Sequence, residues 1–177
     1  MRARLFLAAP TAAAAATAAL AALAPAAGAA TGSAAPVPTC KESAVRVSAA
    51  AAQRPGVLHL KVTNRGAGSC VVDRIPTVTF GTLDGAAQPV PPAGSAPYRL
   101  AVGGTAHAAV RTADPAGGAQ MRVVDFVTVA ADPSHRGRTI SADVLGLPQG
   151  VRVWEPVTTW WQPSWAKADA ALRGATR

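Results

Sequence analysis

Aromatic side chains are scarce at 5% of the chain, so a core built from this sequence would be rich in Ala and Val. Metal ligands are as sparse. A zinc or copper site needs several Cys or His at short spacing, whereas the chain has two cysteines and three widely separated histidines, His59, His107 and His135. No metal or other cofactor is implied. Catalytic signatures are missing too: there is no Gly-x-Ser-x-Gly elbow, no phosphate-cradling loop and no close pair of carboxylates. His59 falls on the wet face of an alternating segment beside Lys61, His107 sits opposite Ala106 and Ala108, and His135 belongs to the polar stretch Pro133-Ser134-His135-Arg136. The sequence therefore reads as non-enzymatic, with no catalytic residue to assign.

Acidic residues are outnumbered, 9 against 17 Lys and Arg. Such an excess favours anionic partners in general, yet no run of five or more basic residues occurs. The cations read as a solvated surface, and with no reader motif nucleic acid is not expected as a partner. A strongly apolar span of about 20 residues, which a membrane anchor requires, is also absent. The uncharged run from Leu5 to Pro25 is mostly Ala, interrupted by two Thr and two Pro.

That run has a different meaning. Arg2 and Arg4 precede it and Ala27-Gly28-Ala29 follow it, the order of charged, apolar and small-residue regions in a secretory signal peptide. Residues 1–30 are read as this leader, with cleavage after Ala29 or Ala30. No Cys follows the cleavage site to accept a lipid, and no membrane span remains after removal. The mature protein, about 147 residues, is expected to be released or loosely cell-wall-associated. It keeps 15 basic residues against 9 acidic ones, a net charge of about +6.

In an oxidising compartment two cysteines argue for one disulfide, Cys40 to Cys70. Closing a loop of that length is worth roughly 3 to 4 kcal/mol in the chain-entropy account. Residues 31–39, small, polar and proline-bearing, suit a flexible linker. From Cys40 onward the chain reads as short strands between turn signals. Residues 45–48 alternate, and in residues 57–63 Leu58, Leu60 and Val62 share one face while His59, Lys61 and Thr63 share the other. Further strands are predicted at 70–72, 77–80, 99–102, 106–111, 122–130, 139–144 and 151–154. Asp84-Gly85 favours a tight hairpin turn. Four prolines between 89 and 97 exclude an inner strand there and leave an edge or a surface loop. Seven to nine short strands joined by Gly and Pro loops predict a sandwich of two antiparallel sheets over residues 40–157.

Several of these stretches resemble a known family. Cys40, Val62-Thr63-Asn64-Arg65-Gly66, Cys70-Val71-Val72 and Ile75-Pro76-Thr77-Val78 are similar to the opening half of the actinobacterial secreted family known as domain of unknown function 4232. Residues 100–108, with their Gly103-Gly104 turn and Ala-rich strand, resemble its later segment, and residues 123–133 and 151–157 its last strands. The resemblance covers about residues 40–157. It implies an immunoglobulin-like all-β sandwich, export and no assigned activity, and it brings no catalytic residues.

All four tryptophans fall in residues 154–165: Trp154 near the end of the sandwich, and Trp160, Trp161 and Trp165 in a Trp-rich C-terminal extension read as 158–177. Trp154, Trp160, Trp161 and Trp165 could form a platform for a glycan or cell-wall polymer, since indole faces stack on sugar rings and the N–H bonds hydroxyls. Alternatively Trp154 and Trp161 fold back to cap a core poor in aromatics. Pro156 and Pro163 forbid a continuous helix, while Ser164 can cap a short one through Lys167 to Arg173. The function expected is an extracellular or cell-envelope binding or structural module. Its partner, a cell-wall polysaccharide or another extracellular protein, is not identified by the residues.

Overall fold

The computed structural model describes residues 36–92 and 96–175. The leader expected at 1–30 and residues 31–35 of the linker lie outside the described residues. Residues 38 and 39 are already engaged: the Val71 amide donates to the Pro38 carbonyl, and Thr39 bridges Val71. Cys40 and Cys70 are joined by a disulfide, which fixes this entry segment to the start of a strand.

The described residues are mostly β. In chain order they form β1 (Val45–Ala51), β2 (Val57–Asn64), β3 (Cys70–Val72), β4 (Thr77–Phe80), β5 (Gln88–Val90), β6 (Tyr98–Leu100), β7 (Thr105–Arg111), β8 (Arg122–Val124), β9 (Phe126–Ala130) and β10 (Arg138–Ser141). The short helix α1 (Ala142–Leu145), β11 (Val151–Val153), β12 (Val157–Thr159) and the helix α2 (Trp165–Gly174) complete the order. A five-stranded sheet runs β1-β2-β7-β12-β5 and a three-stranded sheet β10-β9-β4, with two smaller pairs, β11-β8 and β3-β6. All pairings are antiparallel except β12 with β5.

The period-two pattern of β2 decides which way the large sheet faces. Leu58, Leu60 and Val62 are buried, and their register places Val62 between Val47 and Ala106, and Leu60 between Ala49 and Ala108. These residues share one hydrophobic cluster with Val78, Phe80, Val127, Val129 and Ile140 of the three-stranded sheet. The outer side of the large sheet is capped by α2, whose Ala168 and Leu172 pack with Val57 and Ala109. Ser164 starts that helix as expected, its hydroxyl accepting from the Lys167 amide.

Four expectations need correction. The strand predicted at 122–130 breaks at Asp125, whose carbonyl accepts from the Ala142 amide, and its halves β8 and β9 join different sheets. The strand predicted at 139–144 ends at Ser141 and turns into α1, which closes on Gly146 at φ 84, a left-handed conformation that glycine adopts without penalty. Asp84-Gly85 does turn the chain, but into no hairpin, since β4 pairs with β9 and β5 with β12. The Pro-rich stretch yields β5 as an edge strand. Finally, β12 crosses the expected boundary at residue 157 and lies inside the large sheet, because Thr158 and Thr159, polar in sequence, are fully buried there. The Thr159 hydroxyl accepts from the Ala109 amide, which satisfies it in the interior.

Candidate functional site

The four tryptophans do not make one surface. Trp161 is fully buried in the main core, with its indole N–H directed to the Ala131 carbonyl at 3.4 Å. The antiparallel bridge between His107 and Gln162 sets the preceding Trp161 beside Ala108, on the inward face of β7. A core otherwise lined by Ala and Val takes up this one large side chain, so Trp161 is corrected from platform to core residue. Trp160 is half-buried, donating to the Pro91 carbonyl at 3.0 Å, with the Arg74 guanidinium 5.5 Å from its ring. Trp165 opens α2 and lies against two imidazoles, stacked on His59 and edge-on to His107. No ring contact joins two tryptophans among the described residues.

The histidines are each tied into structure. His59 Nε2 pairs with Asp169 Oδ1 at 2.9 Å, linking β2 to α2. His107 is held below its ordinary pKa by burial, and the neighbouring Lys61 and His59 add to the shift. Its Nδ1 is buried with no hydrogen-bond partner. His135 Nε2 reaches the Cys40 carbonyl at 2.8 Å. Beside it, burial pushes the Asp132 carboxyl up, but hydrogen bonds from the Ser134 hydroxyl and amide and from the Asp73 amide outweigh this and hold it below the usual range. Among the described residues no three metal-ligating side chains gather, and no helix is long and apolar enough to cross a membrane.

Trp154 is half-buried and faces a concave surface. It lines a cleft of about 640 Å³ built from three distant segments: the end of β4 and the turn after it, the loop before β8, and the chain from β11 towards β12. The volume falls in the range of small-molecule sites. Phe80 and Val153, both buried, supply an apolar floor, and half-buried Trp154 adds an aromatic wall. Asp84, Gln120, Arg122 and Glu155 stand at the rim, all exposed. Among the described residues none of these four side chains has a hydrogen bond or an ion pair within the protein.

The backbone beneath them is fixed. The Trp154 amide donates to the Thr112 carbonyl and its carbonyl accepts from the Asp114 amide, while the Gln88 amide donates to the Pro156 carbonyl. Between those anchors Glu155 adopts φ 45, the only non-glycine residue at positive φ among the described residues. Such strain persists only where surrounding contacts impose it, and it gathers at functional sites.

Sequence reasoning singled out Trp154 but missed the rest of the cleft. The turn at Asp84-Gly85 was legible; its approach to residues 119–122 and 153–156 depends on tertiary packing. Positive φ at a glutamate has no sequence signal. Compared with known proteins, the family model described as Domain of unknown function (DUF4232) matches residues 40–161. No curated protein and no solved structure matches the chain.

Proposed function

The chain belongs to the DUF4232 family, and from that premise we propose that it is an exported, non-catalytic recognition module whose ligand sits in the cleft at Trp154. Its antiparallel sheets act as an immunoglobulin-like sandwich that holds loops in place, and the mature protein works outside the cell or against the cell envelope. The observation that carries this reading is the set of uncommitted polar side chains around an apolar floor. Donors and acceptors placed at a concave site without internal partners are free to bond a ligand. The leader-like residues 1–30 and the Cys40–Cys70 disulfide support export.

Screening the isotope-labelled protein by NMR against a library of small fragments tests the site. Amide shifts clustering at Leu83, Gln120, Trp154 and Glu155 are expected. Hits that scatter over the surface, or gather at α2 instead, overturn the assignment. Fractionation of an expressing culture tests export: processed protein is expected outside the cytoplasm, and an unprocessed cytoplasmic chain contradicts it.

A further inference from the structure

We infer that the cleft at Trp154 takes an uncharged saccharide unit, its ring face against the indole and its hydroxyls against Asp84, Gln120 and Glu155. The inference rests on the reading of this cleft as the recognition site and adds the chemical class of the ligand.

Three observations converge on that class. A pyranose has an apolar C–H face and a circumference of hydroxyls that each donate and accept. The cleft offers the complement, an indole wall and apolar floor edged by acceptor-only carboxylates, a donor-only guanidinium at Arg122 and the amide of Gln120. Charge then separates neutral sugars from anionic polymers. The whole chain carries a formal net charge of +8, which favours anions, yet this rim sets two carboxylates against one guanidinium. An anionic group entering there meets Asp84 and Glu155, and like charges at close range repel.

The third observation argues against an extended peptide. Peptide strands add to free backbone edges, but at Trp154 both backbone groups are already bonded, to Thr112 and Asp114. At Trp154 the backbone is engaged and the indole faces the cleft, so recognition at this residue runs through its side chain. The same bonds fix the backbone from which the indole projects before a ligand arrives, which reduces the ordering cost of binding.

A printed glycan array identifies candidates, and calorimetric titration of the protein with the best uncharged oligosaccharide measures the binding. Expected is saturable binding that changes little with salt, weakened at least ~10-fold by Trp154→Ala and about 3- to 10-fold by Glu155→Gln or Asp84→Asn. Trp160→Ala should leave it unchanged. Because Trp154→Ala could disturb folding, Trp154→Tyr serves as a second variant, expected to retain part of the affinity. Binding only of polyanionic glycans, with steep salt dependence, overturns the inference. So does an array without a Trp154-dependent ligand. If a peptide or a non-sugar fragment then binds in a Trp154-dependent way, the ligand class is wrong and the cleft stands; if nothing of any class does, both fall.

Discussion

The Trp165 indole lies between two imidazoles, stacked on His59 with ring centroids 4.6 Å apart and edge-on to His107 at 4.2 Å. One turn along the helix, Asp169 pairs with the same His59. These contacts, with Ala168 and Leu172 on Val57 and Ala109, dock α2 on the large sheet. Trp165→Ala should therefore loosen the helix without unfolding the sheets. A loss of about 2 kcal/mol is expected, below that of a fully buried tryptophan because this ring is half-exposed. Hydrogen exchange should show the amides of residues 168–174 losing protection while those of β2 and β7 keep theirs.

His107 gives this junction a pH dependence, whose sign follows from its burial. Its folded pKa lies below the ordinary 6.5, so the fold favours the neutral ring. Stability from this group is complete above the unfolded value and is lost as pH falls from there through the folded value. Protonation places a positive charge beside Lys61 and His59, in a site where Nδ1 has no partner. Urea unfolding measured between pH 7.5 and about 5 should show declining stability in the wild type and a flatter profile in His107→Gln. Equal slopes in the two proteins would contradict this account.

Trp161 and Trp154 should behave oppositely when truncated. Trp161→Ala opens a cavity in the main core and should cost about 3 to 5 kcal/mol. Trp154→Ala removes a half-buried cleft wall and should cost roughly 1 kcal/mol or little more. Thermal melts of the two variants check the contrast directly.

Asn64 ends β2 and is fully buried, a placement that its polar side chain does not announce in the sequence. Its side-chain amide donates to the carbonyls of Gly68, Leu100 and Ala101, and its Oδ1 accepts from the Gly66 amide at 2.8 Å. The side chain thus ties the turn after β2 to the segment between β6 and β7. Asn64→Ala leaves those groups without partners in a buried place, a cost of about 2 to 3 kcal/mol. Chemical denaturation should show the drop, and Asn64→Asp should not restore the wild-type midpoint, since a carboxylate cannot donate.

Opening the disulfide is expected to remove about 3 to 4 kcal/mol. A Cys40→Ser/Cys70→Ser double variant, and the wild type under reductant, should melt at similar and lowered temperatures.

What the sequence made legible follows from local signals. The two-residue period of β2, the paired cysteines and the Ser164 cap depend on residues close together or on compartment chemistry, and each has a counterpart in the structure. Missed features depend on packing at a distance. Residues 122–130 read as one strand rich in Val, yet the chain divides at Asp125, and its halves pair with different partners. Residues 157–159 look too polar for an inner strand, and only the neighbouring β7 and β5 reveal why Thr158 and Thr159 are accommodated. The cleft was invisible for the same reason, since its walls come from segments tens of residues apart.

The place of β12 also sets the timing of folding. Strands β5 and β7 are joined only through residues 157–159, and the largest core side chain arrives at position 161. Cys40 and Cys70 precede these residues in the chain, whereas the five-stranded sheet and its core are complete only once residues 157–161 are in place. Contacts so distant in sequence form slowly. Strands β1, β2 and β7 pair among themselves, and the outermost strand β5 gains its place in the sheet only when β12 arrives to bridge it.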